Sequence, residues 1–492
     1  MKLFRGPYAA FLAASALAVL PGLTLARLVC EGGSGAAPAR LEPCRSYLVA
    51  VSEQAYAQPA WRQAAEALRE KYEAELVTFP TGRPQAALEP LRRIFPNYVC
   101  FVATPEECGR AFVVALHRLT RQLDDDPYGD VLWGILTGYE AADALRMARL
   151  SQPLIIRRGA TSMGKGLLER LESGFASNED NVSDFWTKAA GATAVVHQAV
   201  SPDAARALAE GFSAFQPDVF YTSGHATERD WQIAYNLPGG AFTCEQGALY
   251  ARSTDGRRYP VTAPHTKVYL PEGNCLIGHI DRRDCMATAW LHSGGIGQMY
   301  GYTAVTFYGY MGWGTALLFE DGRLSLSEAF FLNNQALLHQ LATRFPHLLA
   351  AAPESYGNRD VQRVAERFAR GDRDALGLLW DRDTVAFYGD PAWVARYPPR
   401  ASSASFRLEE EGGLWTLVVT DLKEGARGDP KWGARPLMIV FPERLSEIRN
   451  VACDAPLPPV VTDRFMLVPL SDTGAPGKQV RVTFNARPVP AK

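Results

Sequence analysis

Two short stretches carry residue types that do nucleophilic chemistry. Val219-Phe220-Tyr221-Thr222-Ser223-Gly224-His225 is an apolar run that ends in small residues and a histidine. Fifty residues on, Asn274-Cys275-Leu276-Ile277-Gly278 presents a cysteine after a second apolar run, Lys267–Leu270. In one crevice, a thiol attacks a carbonyl while an imidazole moves the proton, and nearby backbone N–H groups hold the oxyanion. Gly224 and Gly278 let backbone and substrate approach closely. Taken singly, such a histidine is a satisfied strand-end residue, and such a cysteine is core filler or half of a disulfide. The pair on successive strand ends is what points to a shared substrate.

Other residues offer weaker chemistry. Cys285 is a second candidate nucleophile, but it sits in the helix-like stretch 284–291 and lacks a following glycine. Cys275, His279, Cys285 and His292 are close in sequence, yet their gaps match no familiar zinc pairing. Gly159-Ala160-Thr161-Ser162-Met163-Gly164-Lys165-Gly166 nearly spells a phosphate-binding loop. Gly166 stands where a Ser or Thr hydroxyl should hold magnesium, so a surface loop is expected instead. Asp281, Asp284, Glu228 and Asp230 stand near the proposed site as acidic candidates for a specificity pocket, or as merely solvated charges. Tyr300, Tyr302, Phe307, Tyr308, Tyr310 and Trp313 alternate like a strand, as cleft wall or as core.

The elements that must position these residues are legible as alternation. Apolar runs at 47–51, 75–79, 98–102 and 131–136 alternate with helical periodicity at 59–72, 84–94, 105–122 and 138–149. The pattern resumes with runs at 153–156, 193–196, 217–221, 267–270 and 303–308, and helices at 163–172, 202–214, 284–292 and 326–344. This is an α/β signature, a mostly parallel sheet covered by helices on both faces. In such a sheet the carboxyl ends of neighbouring strands converge on one crevice. Thr104 with Glu107 and Thr137 with Glu140 predict helix starts through capping boxes, and Ser201 a further cap. After Pro398-Pro399 the style changes to short alternating strands, which predicts a small β-sandwich over 399–492. The expected organisation is 1–26 signal, 27–46 linker, 47–150 N-terminal α/β subdomain, 151–398 catalytic α/β subdomain and 399–492 sandwich.

The 492 residues carry 51 basic and 53 acidic side chains, a net charge of −2. That balance argues against a nucleic-acid partner, and 47 % hydrophobic content argues against wholesale disorder. Lys2 and Arg5 precede an apolar run from Tyr8 that is broken by Pro21-Gly22 and closed by Thr24-Leu25-Ala26. This is the grammar of a cleaved secretory signal; the alternative is an uncleaved N-terminal anchor, the one expected membrane contact. An extracytoplasmic chain is therefore expected. Of its eight cysteines, Cys30 with Cys44 and Cys100 with Cys108 are the local pairing candidates. The stretch Ser177–Asp184 is a candidate nick site.

The strand–Ser-Gly-His and strand–Cys-x-x-Gly pair resembles the caspase-like (clan CD) cysteine peptidases. Three further stretches resemble the gingipain family in particular. Asp126-Pro127-Tyr128-Gly129-Asp130-Val131-Leu132-Trp133-Gly134 is similar to its Asp-Tyr-x-Asp stretch, with Ile135 where arginine is usual. Gly294-Gly295-Ile296-Gly297 with Tyr300-Gly301 resembles the turn and strand after the cysteine helix. Tyr388-Gly389-Asp390-Pro391-Ala392 resembles the close of the peptidase domain, ahead of an immunoglobulin-like sandwich. The resemblance runs in order over 47–490. It implies Cys275 as nucleophile, His225 as its proton-transfer partner, and the amides of Cys275 and Ala226 near the oxyanion. Ala226 replaces the usual glycine after the histidine, and Asn274 stands where a small residue is commoner. The implied function is an exported cysteine peptidase acting on protein or peptide substrates; the rival is an inactive relative serving as a cell-surface binding or assembly module. No cofactor is implied as a requirement, and calcium enters by analogy as a structural ion.

Overall fold

The computed structural model of the chain describes residues 27–32, 46–177, 184–198, 203–233, 239–306, 308–312, 319, 322–351, 363, 366, 373–399, 405–420, 435–455, 457–469 and 479–489. The expected signal, and the segment between Ser177 and Asp184, lie outside them. No helix among the described residues is long and apolar enough to cross a membrane.

Twelve strands form one sheet. From edge to edge they are Val195–Gln198, Asp184–Lys188, Ser173–Ser177, Arg158–Thr161, Val219–Thr222, Lys267–Pro271, Ile296–Tyr302, Val385–Tyr388, Leu132–Leu136, Tyr98–Val102, Tyr47–Ser52 and Glu75–Phe79. Pairing is parallel except around Asp184–Lys188 and between Ile296–Tyr302 and Val385–Tyr388. The central strands are buried along their whole length, as continuous apolar runs dictate when helices cover both faces. On one face Trp290 of the helix Met286–His292 and Phe212 of Ala204–Phe215 pack on Phe220, with Trp290 also on Tyr269. On the other, Phe330 of Leu326–Arg344 packs on Tyr300 and Phe387.

The two expected α/β halves are thus one continuous sheet, joined where Val385–Tyr388 meets Leu132–Leu136. Asp390, just past that joint, accepts hydrogen bonds from Tyr47 Oη (2.9 Å), Tyr72 Oη (2.6 Å) and Lys71 Nζ (2.9 Å). The Gly389-Asp390-Pro391 motif therefore ties the strand Tyr47–Ser52 and the helix Pro59–Tyr72 to the end of Val385–Tyr388.

Several helix starts differ from expectation. Glu107 does accept from Thr104 N, but the helix begins only at Arg110, after Gly109. The next helix is Ala141–Ala148, and its capping box is Glu140 with Asp143 rather than Thr137 with Glu140. Asp203 caps Ala204–Phe215, and Ser201 lies outside the described residues. The near-phosphate loop is a strand: Gly159–Thr161 pairs on both sides, and only a 3₁₀ turn, Lys165–Arg170, follows. No helix N-terminus is there to receive a phosphate. A four-stranded antiparallel sheet, Asp230–Gln232, Ala241–Glu245, Ala248–Arg252 and Arg258–Pro260, fills the chain between the two candidate site loops. Its strands of three to five residues are too short to show periodicity.

The C-terminal part has a five-stranded sheet and a three-stranded sheet that enclose a second core with Leu408, Trp415, Leu417, Phe441 and Phe484. Residues 27–32, expected as linker, are a strand of that five-stranded sheet, antiparallel to Ser405–Glu411. The strand Ser405–Glu411 is thereby paired on both sides. Arg444 anchors this part to the main sheet, donating to the carbonyls of Pro96 and Asp130, both at 2.9 Å.

Candidate active site

Val219–Thr222 and Lys267–Pro271 are adjacent parallel strands, with Thr222 opposite Pro271. His225 and Cys275 follow them three and four residues later, so both loops leave the same edge of the sheet. Asn274 holds the loops together. Fully buried, its Nδ2 donates to Gly224 O at 3.0 Å and its Oδ1 accepts from Thr222 Oγ1 at 2.7 Å. The residue that departs from the family pattern therefore performs a fastening task that a small side chain cannot.

The histidine loop turns sharply. Gly224 takes φ of 107°, which favours glycine. Beyond it, Gln232 N donates to His225 O at 2.8 Å, and Ala226 opposes Trp231 in an antiparallel bridge. Trp231 Nε1 donates to Ser223 O at 2.8 Å. The His225 side chain is exposed on this turn, while the backbone beneath it is fixed.

Cys275 is a free thiol, partly buried. Thr306 N donates to its Sγ at 3.2 Å, and Sγ lies 3.9 Å from Thr306 O. Leu276 takes a left-handed φ of 58°. Gly278 packs against Gly301, where an added Cβ would lie 2.3 Å from Gly301 O. Its N–H is taken by Tyr302 O at 3.0 Å, so Gly278 serves by close approach and offers no oxyanion donor. By contrast, no hydrogen bond to the N–H of Ala226 or of Cys275 occurs among the described residues.

The competing thiols are unsuited to attack. Burial pushes up Cys100, Cys108 and Cys285, and raises Cys244 to about 12. A thiol so shifted holds little of the nucleophilic thiolate. Cys285 caps Met286–His292 from inside the core. Cys100 and Cys108 are both free, against the expected pairing, because they point to different neighbours. Tyr47 and Asp390 surround the first; the second donates to Ala103 O. Cys44 lies outside the described residues.

The suggested zinc set is dispersed among other partners. His279 Nδ1 lies 2.9 Å from Glu228, His292 Nδ1 lies 2.9 Å from Asp143, and Cys285 faces Thr288. The four expected pocket acids are likewise engaged. Asp281 pairs with Arg229 at 2.6 Å, Glu228 with His279, Asp230 accepts from Thr227 Oγ1, and Asp284 accepts from Gly247 N. Tyr300, Tyr302, Tyr308 and Tyr310 are core residues; Phe307 and Trp313 lie outside the described residues.

Three contributors escape sequence reasoning. Asn274 was visible there only as a departure, and Thr306 carried no signal at all. Glu272, three residues before Cys275, is 2 % exposed and its Oε1 has no partner. Burial holds that carboxyl well above the ordinary range. Among the described residues one group has metal-ligand spacing: the carboxylates of Asp124, Asp130 and Asp463, within 4.8 Å of one another. Asp463 also pairs with Arg444, so this cluster already has an organic cation at its rim.

No protein-family profile matches the chain, and no curated protein does. Two solved structures are similar to it. One is gingipain R, an Arg-specific cysteine proteinase, at 10 % identity and a TM-score of 0.37, over 79 % of this chain and 92 % of that one. The other is described as a protease, at 8 % identity and a TM-score of 0.36, over 91 % and 98 %. The chain has the mostly parallel α/β sheet flanked by helices that its sequence led us to expect. Likeness of this depth speaks to neither activity nor site residues, which rest on the geometry of the chain itself.

Proposed function

We propose that the chain is an exported cysteine peptidase that cleaves peptide bonds through a Cys275–His225 dyad. The observation that carries this reading is the fastening of the two loops by Asn274 at the ends of paired strands, beside two N–H groups without partners among the described residues. Cys275 Sγ attacks the scissile carbonyl as its proton passes to His225. The tetrahedral oxyanion is held by the N–H groups of Cys275 and Ala226. His225 returns the proton to the leaving amine, leaving a thioester on Cys275 that water then hydrolyses. Export rests on the signal grammar of residues 1–26, and the acidic trio of Asp124, Asp130 and Asp463 is where a structural calcium ion would sit.

A rival reading, a catalytically silent binding relative, draws on one contact: the thiol hydrogen-bonds to Thr306. Iodoacetamide labelling mapped by mass spectrometry, beside cleavage of a mixed-peptide pool, separates the two. Peptidase chemistry predicts fast labelling at Cys275 that slows in His225→Ala, with cleavage lost in both Cys275→Ala and His225→Ala. A Cys275 that labels slowly, in a mature protein that cleaves nothing, supports the binding module.

A further inference from the structure

The thiol is fastened from a second direction, by the chain that follows Ile296–Tyr302. Residues 303–306 run past the cysteine loop. Leu276 N donates to Ala304 O at 3.3 Å, and Thr306 N donates to Cys275 Sγ at 3.2 Å. Trp380 Nε1 fixes this stretch by donating to Val305 O at 2.8 Å. Residues 308–312 continue under Glu272, where an added Cβ on Gly312 would lie 1.9 Å from Glu272 O.

What holds 308–312 comes largely from elsewhere. Arg435, 4 % exposed, precedes the first strand of the three-stranded C-terminal sheet. Its guanidinium lies 3.4 Å from the centre of the Tyr310 ring. Its Nη2 donates to Tyr310 O at 2.9 Å and its Nε to Asn333 Oδ1 at 3.0 Å. Asn333 Nδ2 in turn donates to Tyr310 O and Met311 O, both at 3.1 Å. Met311 N donates to Asp381 at 3.4 Å, and the same carboxylate oxygen accepts from Tyr302 Oη at 3.0 Å. A planar fork that stacks on a ring while serving two acceptors is a rigid fixture that lysine cannot reproduce.

We infer that Arg435 is a positioning residue for Cys275: it fixes the strap formed by 303–306 and 308–312, and Thr306 N–H at the end of that strap orients the sulfur for attack. The C-terminal sheets are thereby part of the active-site support. The inference rests on the peptidase reading for its turnover consequences, but its effect on the thiol is separate from substrate cleavage.

The test measures the second-order rate of iodoacetamide alkylation at Cys275 in the folded full-length mature protein at neutral pH, alongside kcat and KM on a cleaved peptide. Arg435→Met is expected to slow alkylation and lower kcat by on the order of 3- to 30-fold with KM unchanged, the scale of couplings carried through packed networks. Arg435→Lys falls between it and the wild type. Trp380→Phe, a milder change that removes the donor to Val305 O, shifts both rates the same way by a smaller factor. Asp390→Asn is the control: it lowers thermal stability without changing either rate. Slowed alkylation in a protein whose wild type cleaves nothing supports the positioning and defeats the peptidase reading. Wild-type alkylation and kcat in both Arg435→Met and Trp380→Phe overturn the positioning. So does slowing by Asp390→Asn to the same extent, since the effect would then track stability alone.

Discussion

The two ends of the strand pair Val219–Thr222 and Lys267–Pro271 differ in how their polar groups are satisfied. At the amino end the charged side chains of both strands are densely partnered. Asp218 accepts from Arg157 N, Arg158 N, the Arg158 guanidinium and His265 Nε2. Together these partners hold its carboxyl below the usual range against the opposing effect of burial. Lys267, fully buried, donates to the carbonyls of Ala263 and Gly294 at 2.6 Å and to that of His265. At the carboxyl end, among the described residues, the N–H groups of Ala226 and Cys275 and the Oε1 of Glu272 have no hydrogen-bond partner, and the thiol is only partly buried. Buried polar groups without partners are costly, so a fold keeps them where something else is to supply the partner. The more saturated end holds the sheet; the less saturated end is the one we propose for substrate.

Substitutions at the two ends should therefore separate cleanly. Cys275→Ala should remove peptide cleavage by on the order of 10⁴-fold or more while leaving the thermal midpoint in place. An equal loss of stability would place Cys275 with the structural end. Lys267→Met strands three buried carbonyls and should cost ~3–5 kcal/mol in urea unfolding, with kcat of the folded protein unchanged. A fall in kcat without one in stability would reverse the assignment.

The saturated interior answers to pH through stability instead. His117, buried against Trp133 with Nε2 2.8 Å from Val385 O, is pushed by burial from 6.5 down to about 4. Above pH 6.5 the ring is neutral in folded and unfolded chains alike. Between 6.5 and 4 the unfolded chain takes up a proton that the folded chain refuses, so stability falls as pH drops, by up to ~3 kcal/mol. His117→Gln should flatten that slope in denaturant titrations; an unaltered slope would assign it to other groups.

Asn274→Ala is the smallest of these changes and the sharpest test of the fastening. Loosening two loops by a fraction of an ångström should lower kcat by roughly 10- to 100-fold. Stability should fall by only ~1–3 kcal/mol for the unpaired Gly224 carbonyl, since the Thr222 hydroxyl keeps Tyr269 Oη at 3.0 Å. An unchanged kcat would show that the strands alone fix the geometry.

Much of this was legible in the sequence, for physical reasons that mark its limits. Buried strands such as Val219–Thr222 and Lys267–Pro271 announce themselves as apolar runs, and Leu326–Arg344 as the helical stretch expected at 326–344. That the loops of His225 and Cys275 follow adjacent parallel strands was legible from the α/β alternation. Arg158–Thr161 was hidden because its glycine and small residues imitate a loop, although they serve close strand packing: an added Cβ on Gly174 would lie 2.1 Å from Gly159 O. Thr306 and Arg435 act through a backbone N–H and through contacts spanning more than a hundred residues, such as Arg435 to Asn333. No local pattern encodes either.

The central claim is that chemistry belongs to the unsaturated end of the sheet, at one sulfur. The most direct measurement is rapid acid quenching of the purified mature protein during turnover of a mixed-peptide pool, followed by intact-mass and fragment analysis. The account predicts a thioester adduct on Cys275, absent from Cys275→Ala and absent from every other cysteine. Cleavage that persists in Cys275→Ala, or no adduct and no cleavage in the wild type, would contradict it.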